Sequence, residues 1–115
     1  MTEKRIQNAI LREFGTRPDM RIWRQNTGVA KYPDKNGRKR RVSFGVPGQA
    51  DLSGILPDGV RLEIEVKSPR GRQTKDQRAW QQMIERFGGV YVLARSVEAV
   101  RVALLARGYL SEAIT

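Results

Sequence analysis

Asp51, Glu65 and Lys67 are the residues of this chain whose types and spacing can carry chemistry. Two carboxylates and a lysine held together can bind a hard divalent cation and position a water molecule, which is the equipment of phosphodiester hydrolysis. Their convergence follows from the chain between them. Residues 50–56 (Ala-Asp-Leu-Ser-Gly-Ile-Leu) and 60–67 (Val-Arg-Leu-Glu-Ile-Glu-Val-Lys) are β-type runs separated by Pro57-Asp58-Gly59, where proline presets φ and glycine tolerates positive φ. A hairpin closed by a type I turn with a glycine bulge is predicted. Its register pairs Leu56 with Val60, Gly54 with Leu62 and Leu52 with Ile64 on one face. The opposite face then holds the pairs Ser53 with Glu63 and Asp51 with Glu65, and Lys67 follows two residues along. Directly opposed carboxylates lie roughly 4.5–5.5 Å apart at Cβ and repel, so the pair is destabilising unless a cation lies between them.

The nature of that cation follows from what the chain lacks. It has no histidine and no cysteine, which excludes imidazole or thiolate sites for zinc, copper or iron–sulfur clusters and leaves oxygen ligands, the preference of Mg2+ or Mn2+. Such an ion polarises a phosphoryl oxygen and lowers the pKa of a water molecule. A nearby lysine orients that water or neutralises charge developing on the phosphate.

Asp51, a gap and then Glu65-Val66-Lys67 resemble the PD-(D/E)XK nuclease signature, and the wider chain resembles its VRR-NUC branch. The pieces that carry the resemblance are Trp23-Arg24-Gln25-Asn26-Thr27-Gly28, Phe44-Gly45-Val46-Pro47-Gly48-Gln49-Ala50-Asp51, Glu65-Val66-Lys67, and Gly71-Arg72-Gln73-Thr74 leading to Gln77. Ala50 stands where the signature's name writes proline, at a position that supplies no ligand. The resemblance implies an α/β restriction-endonuclease-like core (αβββαβ, a mixed sheet flanked by helices) in a single domain over 1–115. It further implies that Asp51 and Glu65 hold the metal with the Val66 carbonyl, that Lys67 activates or positions water, and that Gln77 completes the site from the following helix. Glu3 resembles the family's N-terminal acidic residue, and Glu13 on the same helix competes for that place. Stand-alone relatives of this kind imply an endonuclease for branched DNA such as four-way (Holliday) junctions. A small domain with one active site cuts two strands symmetrically only as a pair, and two-fold dimers are the commonest oligomers, so a homodimer is expected.

Charge agrees with a polyanionic partner. Lys plus Arg exceed Asp plus Glu to give a net charge of +10 over 115 residues, more than a small domain needs for solubility alone. The cations cluster at Lys31, Lys35, Arg38, Lys39, Arg40 and Arg41, in a segment with Pro33, Asn36 and Gly37 that reads as a basic loop or hairpin tip at about 27–41. Arg70 and Arg72 follow the proposed catalytic strand. Both sets can contact DNA phosphates, giving affinity that weakens steeply with salt. No apolar run approaches the roughly 20 residues that span a membrane, and no secretory pattern is visible at the N-terminus, so a soluble intracellular protein is expected.

The positioning elements are legible in outline. Ile6, Ala9, Ile10 and Phe14 recur at helical spacing over 2–14, with Thr2 as N-cap and Gly15 beyond the end. Residues 20–25 and 41–46 read as strands flanking the basic loop. Thr74 to Phe87 reads as a helix stopped by Gly88-Gly89, Gly89 to Ala94 as a buried strand, and Ser96 as the cap of a last helix bearing Val97, Val100 and Leu104 and ending at Gly108.

Each functional reading has a plainer rival. Glu63 and Glu65 alternate with Leu62, Ile64 and Val66 as on the solvated face of an ordinary strand; Glu63 is read as structural. Thr74-x-x-Gln77 is also a capping box, which would turn the glutamine back on its own helix. Trp80 reads as core or interface, and Trp23 beside Arg24 is open to base stacking. As a whole, the alternative to a nuclease is a non-catalytic DNA- or RNA-binding module, or a component of a nucleoprotein assembly, working through the basic loop.

Overall fold

Alternation and capping produce the elements named above and one more. The computed structural model describes residues 2–25 and 28–111, with side chains throughout except at 28–31 and 42–44. Asn26 and Thr27, part of the motif that begins at Trp23, lie outside the described residues. In chain order the elements are α1 (Glu3–Phe14), β1 (Arg21–Arg24), β2 (Gly28–Pro33), β3 (Lys39–Phe44), β4 (Leu52–Ile55), β5 (Arg61–Val66), α2 (Lys75–Arg86), β6 (Val90–Ala94) and α3 (Val97–Ala106).

The main sheet runs β1-β4-β5-β6. β1 pairs antiparallel with β4 and β4 antiparallel with β5, whereas β6 pairs parallel with β5 because α2 carries the chain back across the sheet. The β4–β5 register is the one that the turn predicts, with Gly54 opposite Leu62, Ser53 opposite Glu63 and Leu52 opposite Ile64. The Leu56 amide donates to the Val60 carbonyl at 2.9 Å, and Gly59 takes a φ of 84°.

Helices cover both faces of this sheet. On one face Ile6, Ile10 and Phe14 of α1 and Val100 and Leu104 of α3 join Leu52, Leu62, Ile64 and Val66 in the principal core, each large apolar side chain contributing roughly 1.5–3 kcal/mol by leaving water. On the other face α2 seals a smaller cluster in which Ile84, Trp80 and Met83 pack on Ala50, Tyr91 and Leu93. The caps are those expected: Thr2 for α1, Thr74 for α2 and Ser96 for α3, each accepting a backbone N–H through its hydroxyl. The fold is therefore mixed α/β, with a mixed sheet flanked by helices.

The segment read as a basic loop is mostly strand. β2 and β3 pair antiparallel from Gly28 opposite Phe44 to Pro33 opposite Lys39, and form a separate two-stranded sheet. The sequence hides this because β2 (GVAKYP) sets Val29 and Ala30 side by side between a glycine and a proline, and β3 opens on three consecutive cations, so neither strand shows an apolar face with a period of two. A compact chain of this length has a radius of gyration of about 13 Å; this one measures 16.2 Å, with extents of 63 × 30 × 30 Å, and the excess lies along the projecting hairpin.

The chain returns from that hairpin to β4 through a tight turn at Val46-Pro47-Gly48-Gln49, where Gly48 has a φ of 82° and the Gln49 amide donates to the Val46 carbonyl at 3.1 Å. A Cβ on Gly48 would lie 2.2 Å from the Asp76 carbonyl oxygen, against the first turn of α2. Gly37 in the hairpin tip has a similar φ of 75° with open space around it. Gly48→Ala and Gly37→Ala therefore share a conformational cost of about 1–3 kcal/mol, but only Gly48→Ala adds a backbone collision. Urea unfolding is expected to show the larger loss for Gly48→Ala, and equal losses would disprove the close packing of this turn on α2.

Candidate active site

Strands β4 and β5 present three acidic groups toward α2, and the structure treats them differently. Glu63 and Glu65 stand two residues apart on the same face, both buried, with exposures of 0% and 2%. Neither lies on a solvated face, which removes the plainest account of their alternation. Glu63 is saturated. Its Oε2 accepts from the Ser53 hydroxyl and faces the Arg61 guanidinium at 3.6 Å, while its Oε1 accepts from the Trp80 indole at 2.9 Å. Trp80 is thus a packing residue of α2 with its polar edge anchored on the sheet.

Glu65 has no such set of partners. Its Oε2 is buried without a hydrogen-bond donor among the described residues. Asp51 stands across from it one step before β4, its Oδ2 accepting the Val66 amide at 2.8 Å. Burial, a hydrogen bond shared with Asp51 and the Asp51 charge push the Glu65 carboxyl up to about 9, while Lys67 pulls it down and Glu3 adds to the rise. In the absence of a cation, the two carboxylates resolve their repulsion by keeping a proton on Glu65.

The remaining residues gather around this pair. Glu3, at the start of α1, accepts the Ser68 amide at 3.4 Å beyond the end of β5. Glu13 pairs instead with Arg101 of α3, so of the two acids on α1 only Glu3 reaches the strand that carries Glu65. Lys67 is half-buried at the end of β5, its amide donating to the Ala94 carbonyl at 2.9 Å. Gln77 occupies the capping box: its Oε1 accepts the Thr74 amide at 2.8 Å and its own amide donates to the Thr74 hydroxyl at 3.2 Å. Arg70 and Arg72 are exposed on the loop between β5 and α2. Lys35 and Arg38 sit in the hairpin tip and Lys39, Arg40 and Arg41 on β3, all exposed; Lys31 lies on β2 opposite Arg41. Trp23 is exposed on β1 with the Arg61 guanidinium 5.8 Å from its ring centroid, a cation–π contact that ties it to the Glu63 network.

Three further residues shape the site and escape sequence reasoning. Tyr91, opposite Glu63 on β6, has its hydroxyl pushed up by burial and by the charges of Glu65, Asp51 and Glu63. Gln73 donates to that hydroxyl at 3.2 Å and to Gln81 at 2.8 Å. Arg95 clamps the loop after Lys67, donating to the carbonyls of Ser68 at 2.6 Å and Gly71 at 2.7 Å. Only the position of Arg95, directly after an apolar strand that ends beside β5, hinted at any of this.

Among the described residues no group of three or more histidine, cysteine, aspartate and glutamate side chains forms a ready-made metal cage. The donor set nevertheless fits a hard cation. Magnesium keeps several waters and is held by one or two carboxylates, and here a buried, unpartnered carboxylate oxygen faces a second carboxylate. Asp51 and Glu65 would hold such an ion, with the Val66 carbonyl as the nearby backbone oxygen on the same strand.

No protein-family model, curated protein or solved structure matches this chain.

A pH dependence follows from Glu65. Between its ordinary value of 4.5 and the folded value of about 9, the folded chain holds a proton that the unfolded chain has released, so its stability falls as pH rises through that window. Glu65→Gln keeps the shape and removes the titration. In metal-free buffer its melting temperature is expected to exceed that of the wild type at pH 8–9 and to match it near pH 5. A wild type that gains stability between pH 5 and 9 would show that Glu65 is ionised in the folded chain.

Proposed function

We propose that the chain is a Mg2+- or Mn2+-dependent endonuclease of restriction-endonuclease-like fold that hydrolyses DNA phosphodiester bonds, with four-way-junction-type DNA as substrate and a homodimer as the working unit. The contrast between Glu63 and Glu65 carries this reading. Adjacent buried carboxylates on one strand face would both be saturated if their role were structural; one is, and the other is left open toward Asp51.

A divalent cation between Asp51 and Glu65 would supply a Lewis acid for the scissile phosphate. The chain's own groups do the rest. The Val66 amide fixes the Asp51 carboxylate, so its orientation is set before substrate arrives. Lys67, on the same strand as Glu65, orients the attacking water or offsets charge on the phosphate. Arg95 holds the loop carrying Arg70 and Arg72, which places two exposed cations next to the site for the DNA backbone. The capping box keeps α2 closed over Glu63 and Tyr91, excluding water from the floor of the site. A second reading, a non-catalytic nucleic-acid-binding module, is favoured by the separateness of the basic hairpin from the carboxylates; it requires binding that neither magnesium nor Asp51→Asn alters.

The decisive assay is cleavage of labelled single-stranded, duplex, flap and four-way-junction DNA with magnesium, manganese or EDTA. Metal-dependent cutting is expected, reduced at least about a hundredfold in Asp51→Asn and in Lys67→Ala, with junction binding in calcium retained. Undiminished cutting by Asp51→Asn would overturn the site; binding without cutting in either metal would favour the module. Replacing Lys39, Arg40 and Arg41 by alanine should also flatten the dependence of binding on salt, by about 0.9 in log–log slope for each phosphate contact removed. An unchanged slope would remove β3 from the interface.

A further inference from the structure

The basic hairpin contains one acid. Within 28–44 Asp34 stands alone among Lys31, Lys35, Arg38, Lys39, Arg40 and Arg41, and a carboxylate at the tip of an arm meant for a polyanion weakens its attraction. Among the described residues Asp34 forms no ion pair with the cations around it. It is spent on the backbone instead. Its Oδ1 accepts the amides of Asn36 and Arg38, both at 2.8 Å, its own amide donates to the Arg38 carbonyl at 2.6 Å, and its carbonyl accepts the Gly37 amide at 3.1 Å. With Gly37 at a φ of 75°, this fixes a single turn geometry for the tip that presents Lys35 and Arg38.

The ribbon behind the tip carries cations on both of its sides. Lys39 and Arg41 lie on one side of β3 by alternation, and Arg40 lies on the other, directly opposite the exposed Tyr32. A ribbon resting on one phosphate backbone needs a single basic face. Cations on both faces and at the tip suit a ribbon with phosphate walls on either side, as in a groove. The major groove of B-form DNA, about 12 Å wide, admits a two-stranded ribbon without distortion, whereas the minor groove, about 6 Å wide, must be widened by deforming the duplex. The major groove of an RNA duplex is too deep and narrow.

We propose, on the nucleic-acid reading above, that the β2–β3 hairpin is a preformed ribbon that seats in the major groove of duplex DNA. Asp34 is its positioning residue, holding the tip in shape at the expense of charge. Charge and shape make opposite demands on this residue, and that separates them experimentally. Asp34→Asn and Asp34→Ala remove the same negative charge, but only asparagine retains an acceptor for the two amides.

The test is binding of a labelled duplex DNA by the full chain in EDTA, measured for the wild type and both variants, with duplex RNA of the same sequence, methyl green (a major-groove ligand) and netropsin (a minor-groove ligand) as competitors. Asp34→Asn is expected to bind at least as tightly as the wild type and Asp34→Ala about tenfold more weakly. DNA is expected to outcompete RNA, and methyl green but not netropsin to displace the protein. Equal affinities of the two variants would overturn the role of Asp34, and displacement by netropsin or by duplex RNA would overturn the groove. Failure of the wild type to bind duplex DNA while it binds a labelled four-way junction or single strand would overturn the groove alone, whereas failure to bind any of these nucleic acids would sink the nucleic-acid reading, whatever the variants do.

Discussion

At the open end of the β4–β5 hairpin, away from its turn, the buried carboxyl of Glu65 faces the half-buried carboxylate of Asp51, and the rest of the molecule is arranged around that conflict. Burial disfavours the charge on Glu65 and the nearby Asp51 carboxylate disfavours it further, so a proton or a cation relieves the site. The sheet register brings Asp51 and Glu65 together, the Val66 amide satisfies one oxygen of Asp51, and among the described residues nothing donates to Oε2 of Glu65. The neighbouring Ser53–Glu63–Trp80 set shows what the fold does with a buried carboxylate when it is meant to stay closed. An open pair beside a closed one, on one strand and under one helix, is a difference of purpose written in hydrogen bonds.

The two roles proposed for the chain fall on separate parts of it and differ in physical character. Glu63 and Glu65 are buried, Glu63 against Trp80 of α2, where low polarity makes each interaction strong and geometry decides. The cations lie on an exposed ribbon and a loop, where salt screens them and number matters more than placement. Asp34 is the exception on the exposed side, since its effect there is structural.

How much of this is visible in the sequence depends on whether a signal is local. The β4–β5 register followed from Pro57-Asp58-Gly59 and the match of apolar residues on one side; the helix caps followed from Thr2, Thr74 and Ser96; and Asp51, Glu65 and Lys67 could be placed together before any coordinates. The two rivals for the N-terminal acid could not be separated in sequence, because both Glu3 and Glu13 sit on α1. Position along the helix separates them in space, one toward Ser68 and the other toward Arg101. β2 does not show in the sequence because its six residues begin with glycine, end with proline and set Val29 and Ala30 side by side, so no alternation of apolar and polar positions marks a strand. The contacts of Glu63 with Trp80, of Tyr91 with Gln73 and of Arg95 with the loop at 68–71 join residues far apart in the chain, and no periodicity encodes them. Gln77 shows the remaining difficulty: one short motif supports a cap and a catalytic role alike, and the observed capping bonds engage its oxygen.

The place of the hairpin in the chain also bears on how the molecule folds. β1 and β4 are neighbours in the sheet, and the Gln25 amide reaches the Asp51 carbonyl at 2.9 Å, yet the whole of 26–50 lies between them. Pairing them directly would close that entire loop at once. The ribbon zips locally from its Asp34 turn until Gly28 meets Phe44, after which only 26–27 and 45–50 remain to be closed. Loop-closure entropy grows with the logarithm of length, so this roughly threefold shortening lowers the cost of β1–β4 pairing by about 1 kcal/mol. The β2–β3 arm of the finished protein is, during folding, the splint that brings β1 into register with β4, the strand that follows Asp51.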